Sequence, residues 1–403
     1  MLTVDGRILA APTLSYANGP AIPESGSWNM FKKRFSVGAA VKDWSFLRLK
    51  DSNQDPLDDI PKLIRAFKGA MDVVGMRADN PTPSNGFTIT LPSDDNEKSK
   101  PIKEVLEKIQ KNGVKMLLVI LPSQKPFTYA RVKYFADTRY GIHTVCVIDQ
   151  KLAKERGQQQ YMANVALKFN LKKGGINQKL PTDKLGFLKN GKTMVMGIDV
   201  THPSPTSVTG APSIVGVVAS TDAVFGQWPA SIRVQEGRKE MVTELTEMVM
   251  ERLRLWRKKN KDTLPEQILV YRDGVSEGQY DTVLREELPC FYAAFEKMYP
   301  AKGKKPKIAI IIVGKRHHTR FYPVKQEDAD HGGNPKNGTV VDRGVTKVWE
   351  FWLQAHTGLQ GTARPAHYVV VRDEIGLGAD GLEQLVSGSG SMSENLSNLR
   401  LLL

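Results

Sequence analysis

Cysteine is scarce: Cys146 and Cys290 are the only two in 403 residues. That excludes a disulfide scaffold and favours a reducing compartment, cytoplasmic and also nuclear. No apolar run reaches the ~18–20 residues of a membrane span, so no membrane partner is expected. The N-terminus, MLTVDGRILAAPTLSY, lacks a basic region leading into an apolar stretch, which argues against a signal peptide. No GxxxxGK[ST] loop occurs, which excludes a P-loop ATPase, and no internal repeat is evident. Negative charge is also short, with 43 Asp and Glu against 57 Lys and Arg, a formal net charge of +14. The excess is uneven. Residues 1–190 hold 30 basic and 18 acidic side chains, whereas residues 191–403 hold 27 and 25. Within 125–190 the ratio is 13 to 4. Such a surface suits an anionic partner, although a merely solvated basic surface has the same composition.

The length suggests more than one core. Residues 1–30, rich in Pro, Gly and Ser, read as a linker packed along a surface. Residues 31–185 alternate strand and helix patterns. VKDWSFLRL, VKMLLVILP and IHTVCVID are short apolar runs bounded by breakers. Around them lie the helical patterns PLDDIPKLIRAFKGAM, PIKEVLEKIQKNG, PFTYARVKYFADTRYG and QQYMANVALKFNLKKGG. This alternation predicts an α/β, doubly wound, Rossmann-like and mostly parallel sheet. The polar stretch 179–192 is the expected boundary. Residues 190–403 open with three strands, MVMGIDVTH, SIVGVVASTD and ASIRVQ. A long amphipathic helix is expected from about Gly237, carrying Met241, Leu245, Met248, Val249, Leu253 and Trp256 on one face. ILVYRDG, KIAIIIVGKRH and HYVVVRDE supply later strands. The order β-β-β-α-β-α-β is that of the RNase H fold. Residues 387–403 form a Ser/Gly-rich tail without a structural assignment.

Asp199 and Asp273 each end an apolar strand, where side chains from neighbouring parallel strands converge. Burying a carboxylate there requires a cation or hydrogen bonds. Glu240 is expected in the first turn of the long helix, near enough to join them. Oxygen ligands of this kind suit Mg²⁺ or Mn²⁺ and phosphodiester hydrolysis, while each acid could equally make a local turn or helix-start bond. Tyr129 and Lys133 are four residues apart on one predicted helix, and Lys168 and Lys172 repeat the spacing on another. Three ammonium groups beneath a base stacked on tyrosine would grip a terminal phosphate. A solvated helix face would look the same. KRHHTR (315–320) could track a nucleic-acid backbone. Its adjacent histidines, His317 and His318, would point to opposite sides of a strand, so a shared zinc is rejected.

GIDVTHP, YRDGVSEGQ, KRHHTRFYP and LQGTARPAHY occur in the order and spacing of Argonaute PIWI domains. Upstream, TYARVK and ALKFNLKKGGIN resemble the Argonaute MID domain. The chain thus resembles the MID–PIWI lobe of a eukaryotic Argonaute, most like fungal Argonautes of the quelling type. The resemblance implies a small guide RNA and a complementary target RNA as partners, with tryptophan-containing silencing proteins among further ones. It implies a 5′-phosphate pocket of Tyr129, Lys133, Lys168 and Lys172, lined by Thr144 and Cys146. Many animal relatives carry Gln where Val145 stands. Ser123, Gln124 and Lys125 match the loop that inspects the first base. Lys315, Arg316, His318, Arg320 and Arg364 match guide-backbone contacts. The catalytic ligands map onto Asp199, Glu240 and Asp273, with Asp199 and Asp273 holding Mg²⁺ or Mn²⁺. The family's fourth ligand follows an Ala-Tyr-Tyr-Ala-like segment that this sequence lacks, so the PIWI domain reads as C-terminally incomplete. Three readings follow: a guide-binding silencing protein with slicing lost or impaired, an active guide-directed endoribonuclease, or a non-functional fragment serving at most as a protein-interaction module.

Overall fold

The computed structural model describes residues 2–378 and 381, except 25, 31, 52–58, 359 and 360. The tail expected at 387–403 lies outside the described residues. Residue contacts divide the chain into two units. One comprises Tyr16–Gly19 and Asn29–Gln178, the other Met1–Ser15, Pro20–Trp28 and Lys179–Leu403. The division falls at the leading edge of the polar stretch 179–192.

In the unit built on Asn29–Gln178, β1 (Trp44–Asp51) leads to α1 (Ile60–Val73) and β2 (Phe87–Leu91). Next come α2 (Ser99–Lys111), β3 (Met116–Leu121), α3 (Pro126–Phe135), β4 (His143–Ile148) and α4 (Gln158–Lys172). Helix α1 starts where the Asp59 carboxylate accepts the Lys62 amide at 2.8 Å, satisfying one of the first turn's free N–H groups. The sheet order is β2-β1-β3-β4, and every pairing is parallel. Strand β2, FTITL, was not among the expected strands. On one side of the sheet Trp44, Phe67 and Phe169 interlock edge to face, with centroids 5.2–6.1 Å apart. On the other, Leu47, Leu49, Leu117 and Val119 meet Ile102, Leu106 and Val132. The chain crosses from β2 over β1 to β3. Strand order therefore reverses between β1 and β3, and the crevice beyond their carboxyl ends is the expected ligand position in such a sheet.

The second unit contains β5 (Thr193–Thr201), β6 (Ser213–Ala219), β7 (Ala230–Gln235) and α5 (Leu245–Lys259). They are followed by β8 (Gln267–Asp273), α6 (Leu288–Met298), β9 (Lys307–Gly314), β10 (Thr339–Val341), β11 (Glu350–Gln354) and β12 (Ala366–Asp373). With the strand Arg7–Ile8 they form a nine-stranded sheet ordered Arg7–Ile8, β10, β11, β12, β9, β8, β5, β6, β7. The three central strands β9, β8 and β5 are parallel, and their flanks are antiparallel. Residues Arg7–Ile8, expected in a linker, are thus an edge strand paired with β10. Helices α5 and α6 bury Leu245, Met248, Leu253, Trp256, Phe291 and Phe295 against one face of the sheet. Among the described residues, no helix is long and apolar enough to cross a membrane.

One expectation is corrected. Helix α5 begins at Leu245, not near Gly237, so Glu240 lies in the preceding loop and not in a first helical turn. The Gln235 side chain ties up that loop, donating to the Lys239 and Met241 carbonyls and accepting from the Thr243 amide. The Val242 amide is drawn to the Glu287 carboxylate at 3.1 Å. Gly237 permits the path, because a Cβ there would stand 2.5 Å from the Ala211 carbonyl oxygen.

Candidate functional site

The first cluster gathers where α3, β4 and α4 meet. Lys133, half-buried on α3, donates through Nζ to the Thr144 carbonyl at 2.9 Å and to Thr144 Oγ1 at 2.7 Å. Its ammonium lies 5.9 Å from the centroid of the Tyr129 ring, one turn earlier, within cation–π range. Tyr129 is 46% exposed, which leaves a face of its ring open to a stacked base. From α4, Lys168 and Lys172 reach the same place, and the pKa shifts record it. Burial pushes the Cys146 thiol on β4 up to about 11, while Lys133, Lys168 and Lys172 all pull it the other way. The Lys172 ammonium is held below its ordinary value first by burial, then by Lys133 and Lys168. Like charges crowded in this way attract an anion. Tyr129, Lys133, Thr144, Cys146, Lys168 and Lys172 thus lie on the facing parts of α3, β4 and α4. Val145 is buried at 3%, and Gln124 and Lys125 are exposed on the loop after β3.

The second cluster lies at the carboxyl ends of β5 and β8. Their parallel register pairs Ile198 with Arg272, which sets Asp199 and Asp273 side by side one residue on. A cleft of about 470 Å³ opens there, lined by both carboxylates and by His202, Lys315 and Arg316. Asp199 Oδ1 accepts the Val200 amide at 2.9 Å, and Lys315 Nζ lies 3.0 Å from Asp273 Oδ2. Glu240 is held from both sides: Oε2 is 2.7 Å from His202 Nε2, and Oε1 accepts from Arg272 Nη1 at 2.9 Å. Arg272 has no exposed surface and also binds Glu287 through Nε and Nη2. Gly274, at φ +90°, lets the loop carrying Glu240 approach. A Cβ at Gly274 would stand 3.0 Å from Glu240 Oε1 and 3.6 Å from Asp199 Oδ1, so both oxygens border the space that this glycine leaves open.

In donor type these residues fit Mg²⁺ or Mn²⁺, which take carboxylate oxygens, and the Lys315 ammonium against Asp273 stands where a cation is accommodated. Among the described residues, no three His, Cys, Asp or Glu side chains form a ready metal cage. His202, Arg272, Glu287 and Gly274 were not singled out from the sequence. Arg272 carried a legible signal, since a guanidinium inside the apolar strand ILVYRD must be paired. Of the basic set beyond β9, Arg316, His318 and Arg364 are exposed. Lys315 is engaged with Asp273, and Arg320 Nη1 donates to the His317 and Thr319 carbonyls of its own loop.

A central parallel sheet with carboxylates at adjacent strand ends, in one unit, and a Rossmann-like sheet with a cationic pocket, in the other, define a two-domain protein of RNase-H-like type. A family model described as the Piwi domain matches residues 116–396, and the chain belongs to the Piwi-domain family, as the MID–PIWI lobe of an Argonaute homologue. It is 34% identical over 398 residues to protein argonaute 2 of Oryza sativa subsp. japonica, covering 96% of this chain and 38% of that protein. To argonaute 5 of Arabidopsis thaliana it is 32% identical, covering 96% of this chain and 40% of that one. The chain thus spans well under half the length of these curated relatives. Its structure is similar to the C-terminal lobe of a budding yeast Argonaute, with a TM-score of 0.83 and 25% identity over 96% of this chain and 82% of that one. It is also similar to the N. crassa QDE-2 MID–PIWI domains, with a TM-score of 0.64 and 31% identity over 88% and 83% of the two chains.

Proposed function

We propose that this chain holds the 5′-phosphorylated end of a small guide RNA and pairs it with a complementary target RNA in gene silencing. The observation that carries the reading is Lys133, bonded to Thr144 and 5.9 Å from the centroid of the exposed Tyr129 ring, with Lys168 and Lys172 adding positive charge at the neighbouring Cys146. A dianionic phosphate would compensate the Lys172 ammonium for its burial and for the repulsion from Lys133 and Lys168, and the first base would stack on tyrosine. The solved Kluyveromyces polysporus Argonaute, of the same fold, holds a guide RNA. The 31% identity to the N. crassa domains supports a fungal quelling-type affinity, beside plant relatives of similar identity.

In the second unit, Asp199 and Asp273 would hold Mg²⁺ or Mn²⁺. Such an ion stabilises charge on phosphodiester oxygens and supports a water nucleophile near neutral pH. The chain's own residues set the geometry for it. Arg272 and His202 hold the Glu240 carboxylate from both sides, and Lys315 supplies positive charge beside Asp273. Cleavage by this chain is proposed to be weak, because both Glu240 oxygens are engaged by His202 and Arg272 and Asp273 is paired with Lys315. An active endoribonuclease is the competing reading, favoured by Glu240 Oε1 and Asp199 Oδ1 both bordering the space at Gly274.

The test is direct binding of short single-stranded RNA bearing a 5′ phosphate or a 5′ hydroxyl to the 403-residue chain. A preference of about tenfold or more for the phosphate is expected from charge-assisted bonds. Equal affinities would remove the reading.

A further inference from the structure

The two neighbouring histidines of the basic loop have different surroundings. His318 is exposed, whereas His317 turns inward against Trp352 on β11, edge to face with centroids 4.7 Å apart at 82°. Trp352 is only 8% exposed. Another face of its indole is covered by His367, its cross-strand partner on β12, stacked at 4.0 Å and 10°. Phe321, on the far side of the basic motif, closes the cluster at 5.9 Å. His317 Nε2 lies 2.8 Å from the Pro365 carbonyl, which can only accept, so Nε2 carries the proton. The loop is thereby tied at its centre to the segment that precedes β12.

We propose that His317 and Trp352 are positioning residues, which fix the loop presenting Lys315, Arg316, His318 and Arg320 and so set RNA affinity without touching RNA. The inference rests on the RNA-binding reading above. Among the described residues, no backbone–backbone hydrogen bond holds residues 316–324, so the loop's path depends on side chains. Arg320 stiffens the loop internally through the His317 and Thr319 carbonyls but anchors it to nothing else. Beyond the Lys315–Asp273 pair at its start, the anchors are the His317–Pro365 bond and the aromatic sandwich around Trp352. Without them the cations remain on the chain but lose a common geometry, and each phosphate contact must then offset the ordering of a free loop.

The experiment measures affinity and salt dependence for short 5′-phosphorylated RNA with wild type, Trp352→Leu, Trp352→Tyr and His317→Ala. Trp352→Leu and His317→Ala are expected to weaken binding by about tenfold and flatten the salt slope by about 1.4, as for two single-strand phosphates. Trp352→Tyr keeps a flat ring between the histidines and stays within about twofold of wild type. The preference for a 5′ phosphate over a hydroxyl should be unchanged in every variant, as it belongs to the other unit. Wild-type affinity and slope in Trp352→Leu and His317→Ala would overturn the proposal, as would a Trp352→Tyr loss equal to that of leucine. If Trp352→Leu fails to fold, His317→Ala, which empties no large core volume, decides alone. A wild-type chain that binds RNA with no salt dependence would overturn the backbone assignment itself, separately from the 5′ pocket.

Discussion

The guanidinium of Arg272 and the carboxylate of Glu240 meet at 2.9 Å at the end of β8, with Arg272 wholly buried and Glu287 bound to its other nitrogens. One buried cation shared by two carboxylates explains how an acid from an irregular loop is held at the end of β8. Arg272→Met removes the shared partner and leaves Glu287 charged and buried. A loss of about 3–5 kcal/mol in unfolding free energy is expected, read from urea denaturation. A loss below about 1 kcal/mol would mean that the triad is not holding the loop.

Tyr129→Ala should weaken guide binding by roughly 1–3 kcal/mol, through lost stacking, and leave the slope of affinity against salt nearly unchanged. Titrations at several salt concentrations separate the two effects. An unaltered affinity would argue against a base on this ring.

Cys146 should be a slow nucleophile despite three neighbouring ammonium groups. With the thiol pushed up to about 11, roughly one in a thousand is thiolate near pH 8. In a Cys290→Ser background, the alkylation rate is expected to keep rising about tenfold per pH unit to near pH 10, without a plateau. A plateau near pH 8 would show that the lysines outweigh burial.

Target cleavage with Mg²⁺ should be slow, and Asp273→Ala or Asp199→Ala should abolish what remains. Calorimetric Mn²⁺ binding, lost in the same variants, gives a readout independent of turnover. Robust cleavage that Asp273→Ala removes would show that the described carboxylates suffice and would favour the active-nuclease reading.

Much of this was legible in sequence for a physical reason: strand ends and helical spacing are local properties. Asp199 and Asp273 end apolar runs, and Tyr129–Lys133 and Lys168–Lys172 sit one turn apart, so local pattern placed them. Glu240 was misplaced because Met241 and Val242 continue the apolar rhythm of α5 backward. Both are buried, but by a loop that the side chains of Gln235 and Glu287 hold. Strands β2, β10 and β11 are short, and part of their pairing comes from residues remote in sequence, β2 with β1 and β10 with Arg7–Ile8. The contact of Trp352 with His317 and His367 was hidden because it depends on how β11 registers with β12 and on the path of the basic loop, which no spacing could announce.

The central claim is that Lys133, Lys168 and Lys172 act together on one terminal phosphate. It is tested most directly by crossing Lys172→Ala with the guide's 5′ group, measuring affinity for phosphorylated and hydroxyl-ended RNA in wild type and variant. The account predicts about a tenfold loss with the phosphorylated guide and almost none with the hydroxyl-ended one. Equal losses with both guides would contradict it, placing Lys172 on the general RNA surface and not in a phosphate pocket.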